Sequence, residues 1–97
     1  MAKAKQPEAI QGLLQQTLKA SGLGHLLHES RLRERWKELM GERAAKIAEM
    51  ESLKDGQLHI RVSDSVWRQE LMFQREALRR KANDILGSSV VKEIRLR

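Results

Sequence analysis

The sequence predicts an α+β fold, a two-layer sandwich in which helices cover one face of a small sheet. Three observations carry that prediction. Gln57-Leu58-His59-Ile60-Arg61-Val62 alternates strictly between polar and apolar residues, the period of a half-buried strand. Asp55-Gly56 stands directly before it, the dipeptide that two-residue hairpin turns favour. Between Ser65 and about Leu86, Trp67, Leu71, Leu78, Ala82 and Ile85 fall on one stripe of a helical wheel.

Each element follows in order. Residues 1–6 are polar and basic without periodicity and read as a mobile arm, leaving 7–97 as a single domain. Pro7 and Glu8 suit the first turn of a helix whose apolar face is Ile10, Leu13, Leu14, Thr17 and Leu18, ended by Ser21-Gly22. Gly22-Leu23-Gly24 is a hinge. His25 to about Met40 holds a second helix or a broken pair, with Leu32, Trp36, Leu39 and Met40 inward and Gly41 as interruption. Glu42–Ile47 adds a helical turn or two. Glu49–Leu53 is expected as an edge strand, paired through the Asp-Gly turn with 57–62. Ser63, Asp64 and Ser65 offer N-caps for one long helix, and Gly87 caps its end. Val90–Arg97 is expected as a last strand. A two-stranded hairpin needs a third strand or a helix to pack on, and this order supplies both. His59, Arg61, Arg95 and Arg97 are expected on the sheet's solvated face.

Composition narrows the function. The 97 residues include 19 Lys or Arg and 13 Asp or Glu, a formal net charge of +6. The excess rises along the chain: three basic against two acidic residues over 1–30, eight against six over 31–63, eight against five over 64–97. This favours an anionic partner, nucleic acid first and an acidic protein surface second. No cysteine is present, which excludes disulfide frameworks, thiolate zinc sites and thiol catalysis. No apolar run approaches the ~18–20 residues of a membrane span. The basic start has no apolar run behind it, which argues against a secretory signal. The reading is a small soluble cytoplasmic protein.

At this point the residues resemble a known family. Trp36-Lys37-Glu38-Leu39-Met40-Gly41, Leu53-Lys54-Asp55-Gly56-Gln57-Leu58-His59-Ile60-Arg61-Val62, and Ser63-Asp64-Ser65-Val66-Trp67-Arg68-Gln69-Glu70-Leu71 stand in its order. Asn83-Asp84-Ile85-Leu86-Gly87 and Val91-Lys92-Glu93-Ile94-Arg95 complete the set. The ordered set is similar to the DciA family of bacterial replication proteins over about residues 30–97. The resemblance implies a KH-like domain, an interaction with the DnaB-type replicative helicase whose loading it assists, DNA binding that prefers single-stranded or junction forms, and a place at the nucleoid.

The glycines offer no Gly-x-x-Gly pair, the loop with which KH domains grip phosphates. Basic side chains are then the candidate contacts: Arg68, Arg75, Arg79, Arg80 and Lys81 on the long helix, Lys92, Arg95 and Arg97 at the last strand, and Arg61 on the hairpin. The alternative for the helix is a solvated face partnered by Glu70, Glu76 and Asp84. Trp36 and Trp67 lie on apolar stripes and read as core. Phe73 and Met72 lie off the stripe, and packing within the domain is expected for them. His25, His28 and Glu29 are too few for a metal site. No nucleophile–base pair or phosphate-binding Gly-rich loop is visible, so a non-enzyme without cofactor or small-molecule substrate is expected. The alternative function is a general KH-like RNA-binding module with no helicase partner.

Overall fold

A computed structural model describes residues 24–97. The expected arm and the helix starting at Pro7 lie outside the described residues. The described elements are α1 (Gly24–Glu34), α2 (Trp36–Met40), α3 (Ala44–Ile47), β1 (Ala48–Lys54), β2 (Gln57–Val62), α4 (Ser65–Phe73), α5 (Arg75–Leu86) and β3 (Glu93–Leu96). They form the expected α+β arrangement: a mixed three-stranded sheet in the order β1-β2-β3, with β1 antiparallel and β3 parallel to the central β2.

The strict alternation of β2 sends Leu58, Ile60 and Val62 into the core. Ala48, Met50 and Leu53 of β1 and Ile94 of β3 join them from either side. The helices close over this face with Leu32, Leu39, Leu71, Leu78, Ala82 and Ile85. Trp36 and Trp67 pack against the same cluster, half-buried, as their stripes predict.

The hairpin turn is Asp55-Gly56, with φ of 54° and 79°. Both residues are left-handed, as a type I′ turn requires. A Cβ on Gly56 would also stand 3.2 Å from the Lys92 side chain. Gly56→Ala is expected to destabilise the fold by about 1–2 kcal/mol, read as a lower urea midpoint at unchanged m.

Two features depart from expectation. The long helix is two helices, broken at Gln74 (φ −96°, ψ 10°), whose N–H donates to Leu71 O at 3.1 Å. The core stripe explains the bend. Between Leu71 and Leu78 the inward turn carries Gln74 and Arg75, so no apolar side chain holds it to the sheet. The second departure is a correction: Phe73 does not pack inside the domain. It is 80% exposed, and Met72 beside it is 48% exposed. The bend carries both outward.

After α5, Gly87 takes the left-handed conformation (φ 75°) and ends the helix. Asn83 then fixes the return: its Nδ2 donates to Val91 O at 3.0 Å and its Oδ1 accepts from Val91 N at 2.7 Å. β3 begins at Glu93, later than the expected Val90, because Lys92 and Glu93 both donate to Gly56 O where the chain joins the sheet.

Candidate nucleic-acid interface

Among the described residues, the helices leave the opposite face of the sheet open. The strand registers align Ser52, His59 and Arg95 across it, and next to them Glu49 and Arg61. Arg97 follows Arg95 by one alternation and is bonded to β2 through Val62 N (2.7 Å) and Ile60 O (3.0 Å). The expectation of His59, Arg61, Arg95 and Arg97 on one face agrees with this register.

At one end of this face, Arg61, Arg68 and Arg97 line an open depression of about 630 Å3 together with Val62 and Ser63. Arg68 reaches it from the first turns of α4. Its Nη2 donates to Val62 O at 2.9 Å, which fixes the guanidinium, and its enclosed Nε has no partner among the described residues. Neither Arg61 nor Arg68 forms an ion pair among the described residues. Two or three cations held against a concave surface are a set that can accept phosphate oxygens.

Carboxylates trim this field. The bulge between Met50 and Ser52 inserts Glu51, whose carboxylate spans the sheet to Arg97, accepting from Nε at 3.0 Å and from Nη2 at 2.7 Å. Arg95 lies 3.2 Å from Glu93. The bond from Arg97, with the charges of Arg97, Arg61 and His59 added, holds the Glu51 carboxyl below the usual carboxylate range. A carboxylate lowered in the folded state adds stability above its unfolded value, near ~4.3, and that contribution fades as pH falls through the lower folded value. Glu51→Gln is therefore expected to flatten the loss of thermal stability in acid, while changing the midpoint at pH 7 only slightly, because the pair is exposed. Thermal melts from pH 7 to pH 2 read this.

The other sequence candidates lie elsewhere. Arg79 and Arg80 both pair with Glu76, the solvated-face arrangement that the sequence offers as the alternative. Lys81 is exposed on the same helix, close enough to Glu38 to lower its carboxyl slightly, behind the larger effect of Arg35. Arg75 and Lys92 line a separate groove near Phe73. Sequence reasoning missed Glu51, because a bulge leaves no mark in a run such as Glu49-Met50-Glu51-Ser52-Leu53. Among the described residues no group of three His, Asp or Glu could hold a metal, and no helix is long and apolar enough to cross a membrane.

Comparison with curated proteins gives no match. A family model described as "Dna[CI] antecedent, DciA" matches residues 9–96. That family is associated with loading of the DnaB helicase in replication and consists of accessory proteins rather than catalysts. The match extends the sequence resemblance, which began near residue 30, toward the N-terminus. Spanning nearly the whole sequence, it establishes that this chain belongs to the DciA family.

Proposed function

We propose that this protein is a replication accessory factor that contacts the DnaB-type helicase, assists its loading, and binds DNA through the open sheet face. The observation that supports DNA binding most directly is the grouping of Arg61, Arg68 and Arg97 around one depression, with Arg95 on the same face. Among the described residues only Glu51 and Glu93 pair with these four arginines.

The mode of binding follows from what the face carries. Helix–strand–strand–helix–helix–strand with a mixed sheet suits a KH-like domain. No Gly-x-x-Gly loop stands between its helices, and among the described residues the face presents no Trp, Tyr or Phe for base stacking, His59 being its one ring. Contacts are then mainly to phosphates, with affinity set by charge and little sequence reading. Single-stranded and junction DNA suit such a face, because their exposed backbones can follow it. The protein acts in the cytoplasm at the nucleoid.

The test is co-purification of the purified chain with the replicative helicase of the same organism, with and without nuclease. Helicase retained after nuclease supports the loader reading. Helicase lost with the nucleic acid sinks it and leaves a general RNA- or DNA-binding module.

A further inference from the structure

The sheet has two edges, and the chain treats them differently. Along β1, side chains from α1 and α2 cover the outward main chain. Trp36 Nε1 donates to Ala48 O at 2.7 Å, and Arg33 donates to Met50 O at 2.8 Å and to Glu51 O at 3.1 Å. The Glu29 carboxylate accepts from Leu53 N at 3.0 Å. Among the described residues β3 has no such cover. Glu93 and Arg97 turn their main chain to β2, with Glu93 N donating to Gly56 O at 3.0 Å and Arg97 N to Ile60 O at 3.0 Å. Alternate residues of a parallel strand face opposite ways, so Ile94 and Leu96 hold N–H and C=O groups away from the sheet. Among the described residues no side chain or turn satisfies them.

Beside this open edge runs a groove of about 390 Å3, bounded by β3 on one side and the bend at Gln74 on the other. Phe73 and Met72, the two side chains that the bend carries outward, form its apolar wall. Arg75 and Lys92 stand on its rim without an ion pair among the described residues, while the two carboxylates that also line it are already paired, Glu76 with Arg79 and Arg80 and Glu93 with Arg95. An unpaired strand edge, an exposed aromatic ring and two unneutralised cations answer three features of one ligand: an extended backbone, an apolar anchor and carboxylates.

We propose that the β3 edge is a docking site for an extended acidic segment of a partner protein. The segment adds beside β3 as a fourth strand. It lays an apolar side chain on Phe73 and Met72 and sets its carboxylates near Arg75 and Lys92. Net charge argues against a second copy of this chain, since pairing two β3 edges would bring two +6 molecules together. The groove shares no lining residue with the depression around Arg61 and Arg68. It stands whether or not the helicase is the partner.

The test uses the full chain and a fluorescein-labelled octapeptide alternating glutamate with valine, followed by anisotropy. Saturable binding with a Kd below about 100 μM is expected, weakened at least about fivefold by Phe73→Ala and by Arg75→Glu with Lys92→Glu. Phe73 and both cations are exposed, so these variants keep the fold, which far-UV circular dichroism checks. Two further peptides carry N-methyl groups on alternate amides, one on each set. Strand addition requires that one set abolish binding and the other leave it nearly intact. Equal effects of the two sets, equal binding of a lysine–valine peptide, or no binding at 1 mM would each overturn the proposal. So would displacement of the peptide by single-stranded oligonucleotide at 150 mM salt, or a β3-mediated dimer that excludes it.

Discussion

Arg61→Ala, Arg95→Ala and Arg97→Ala combined in one chain are expected to weaken binding of a single-stranded oligonucleotide by more than ~10-fold at low salt. The same triple change lowers the slope of log affinity against log salt by about 2, because each lost phosphate contact removes ~0.7 on a single strand. The three side chains share one face of the sheet and two neighbouring strands, so one backbone can meet all of them. The fold survives the change. All three residues are exposed, and the ion pairs lost to Glu51 and Glu93 are surface pairs of small net worth. The matched control is Arg79→Ala with Arg80→Ala, which lie on α5, on the helical side of the sheet rather than on the open face. That pair is expected to leave the slope nearly unchanged. A flattened slope in the control and an unaltered one in the triple variant would move the binding face to α5. Titrations at four salt concentrations between 50 and 300 mM decide between them.

Leu58→Ala is expected to remove about 3 kcal/mol of stability. Leu58 is fully buried in the central strand. It lies opposite Leu53 on one neighbour and Ile94 on the other, so the void opens where all three strands meet. A chain of this size holds only ~5–15 kcal/mol in total. The variant should be partly unfolded at 37 °C, with a thermal midpoint lower by ten degrees or more if the domain unfolds in two states. Leu58→Met, which nearly keeps the volume, is expected to lose less than ~1.5 kcal/mol. Equal losses for the two variants would mean that the site collapses around the smaller side chain. Calorimetry of both reads the difference.

The elements with a period of two or a turn dipeptide were the most legible in the sequence. β2 was readable residue by residue, since Leu58, Ile60 and Val62 alternate with polar neighbours. The turn at Asp55-Gly56 was readable because only positive φ closes a two-residue hairpin with the right twist. The bend at Gln74 was not. No Gly or Pro marks it, and its one sign is a missing apolar residue in the stripe, which a wheel drawn over Ser65–Leu86 tolerates. From that omission followed the misplaced Phe73. The candidate site divides in the same way. Alternation placed Arg61, Arg95 and Arg97 on one face, because strand period is a local property. That Arg68 joins them, while Arg79 and Arg80 turn to Glu76, depends on where α4 leaves the sheet. The pairing of Glu51 with Arg97 spans 46 positions and rests on a bulge, and no local pattern encodes it.

The cover that Glu29, Arg33 and Trp36 place over β1 has a consequence for assembly in bulk. In polymer terms, strand-to-strand association behaves as a step growth, and a growing sheet needs two reactive ends on every unit. Among the described residues this molecule brings one. Two copies meeting at β3 would form a closed pair with β1 facing outward on both sides, and each β1 already has Ala48 O, Met50 O, Glu51 O and Leu53 N bonded by its own helices. With β3 as its one open edge among the described residues, the domain has the geometry of a chain terminator, and those three side chains are what cap its other end.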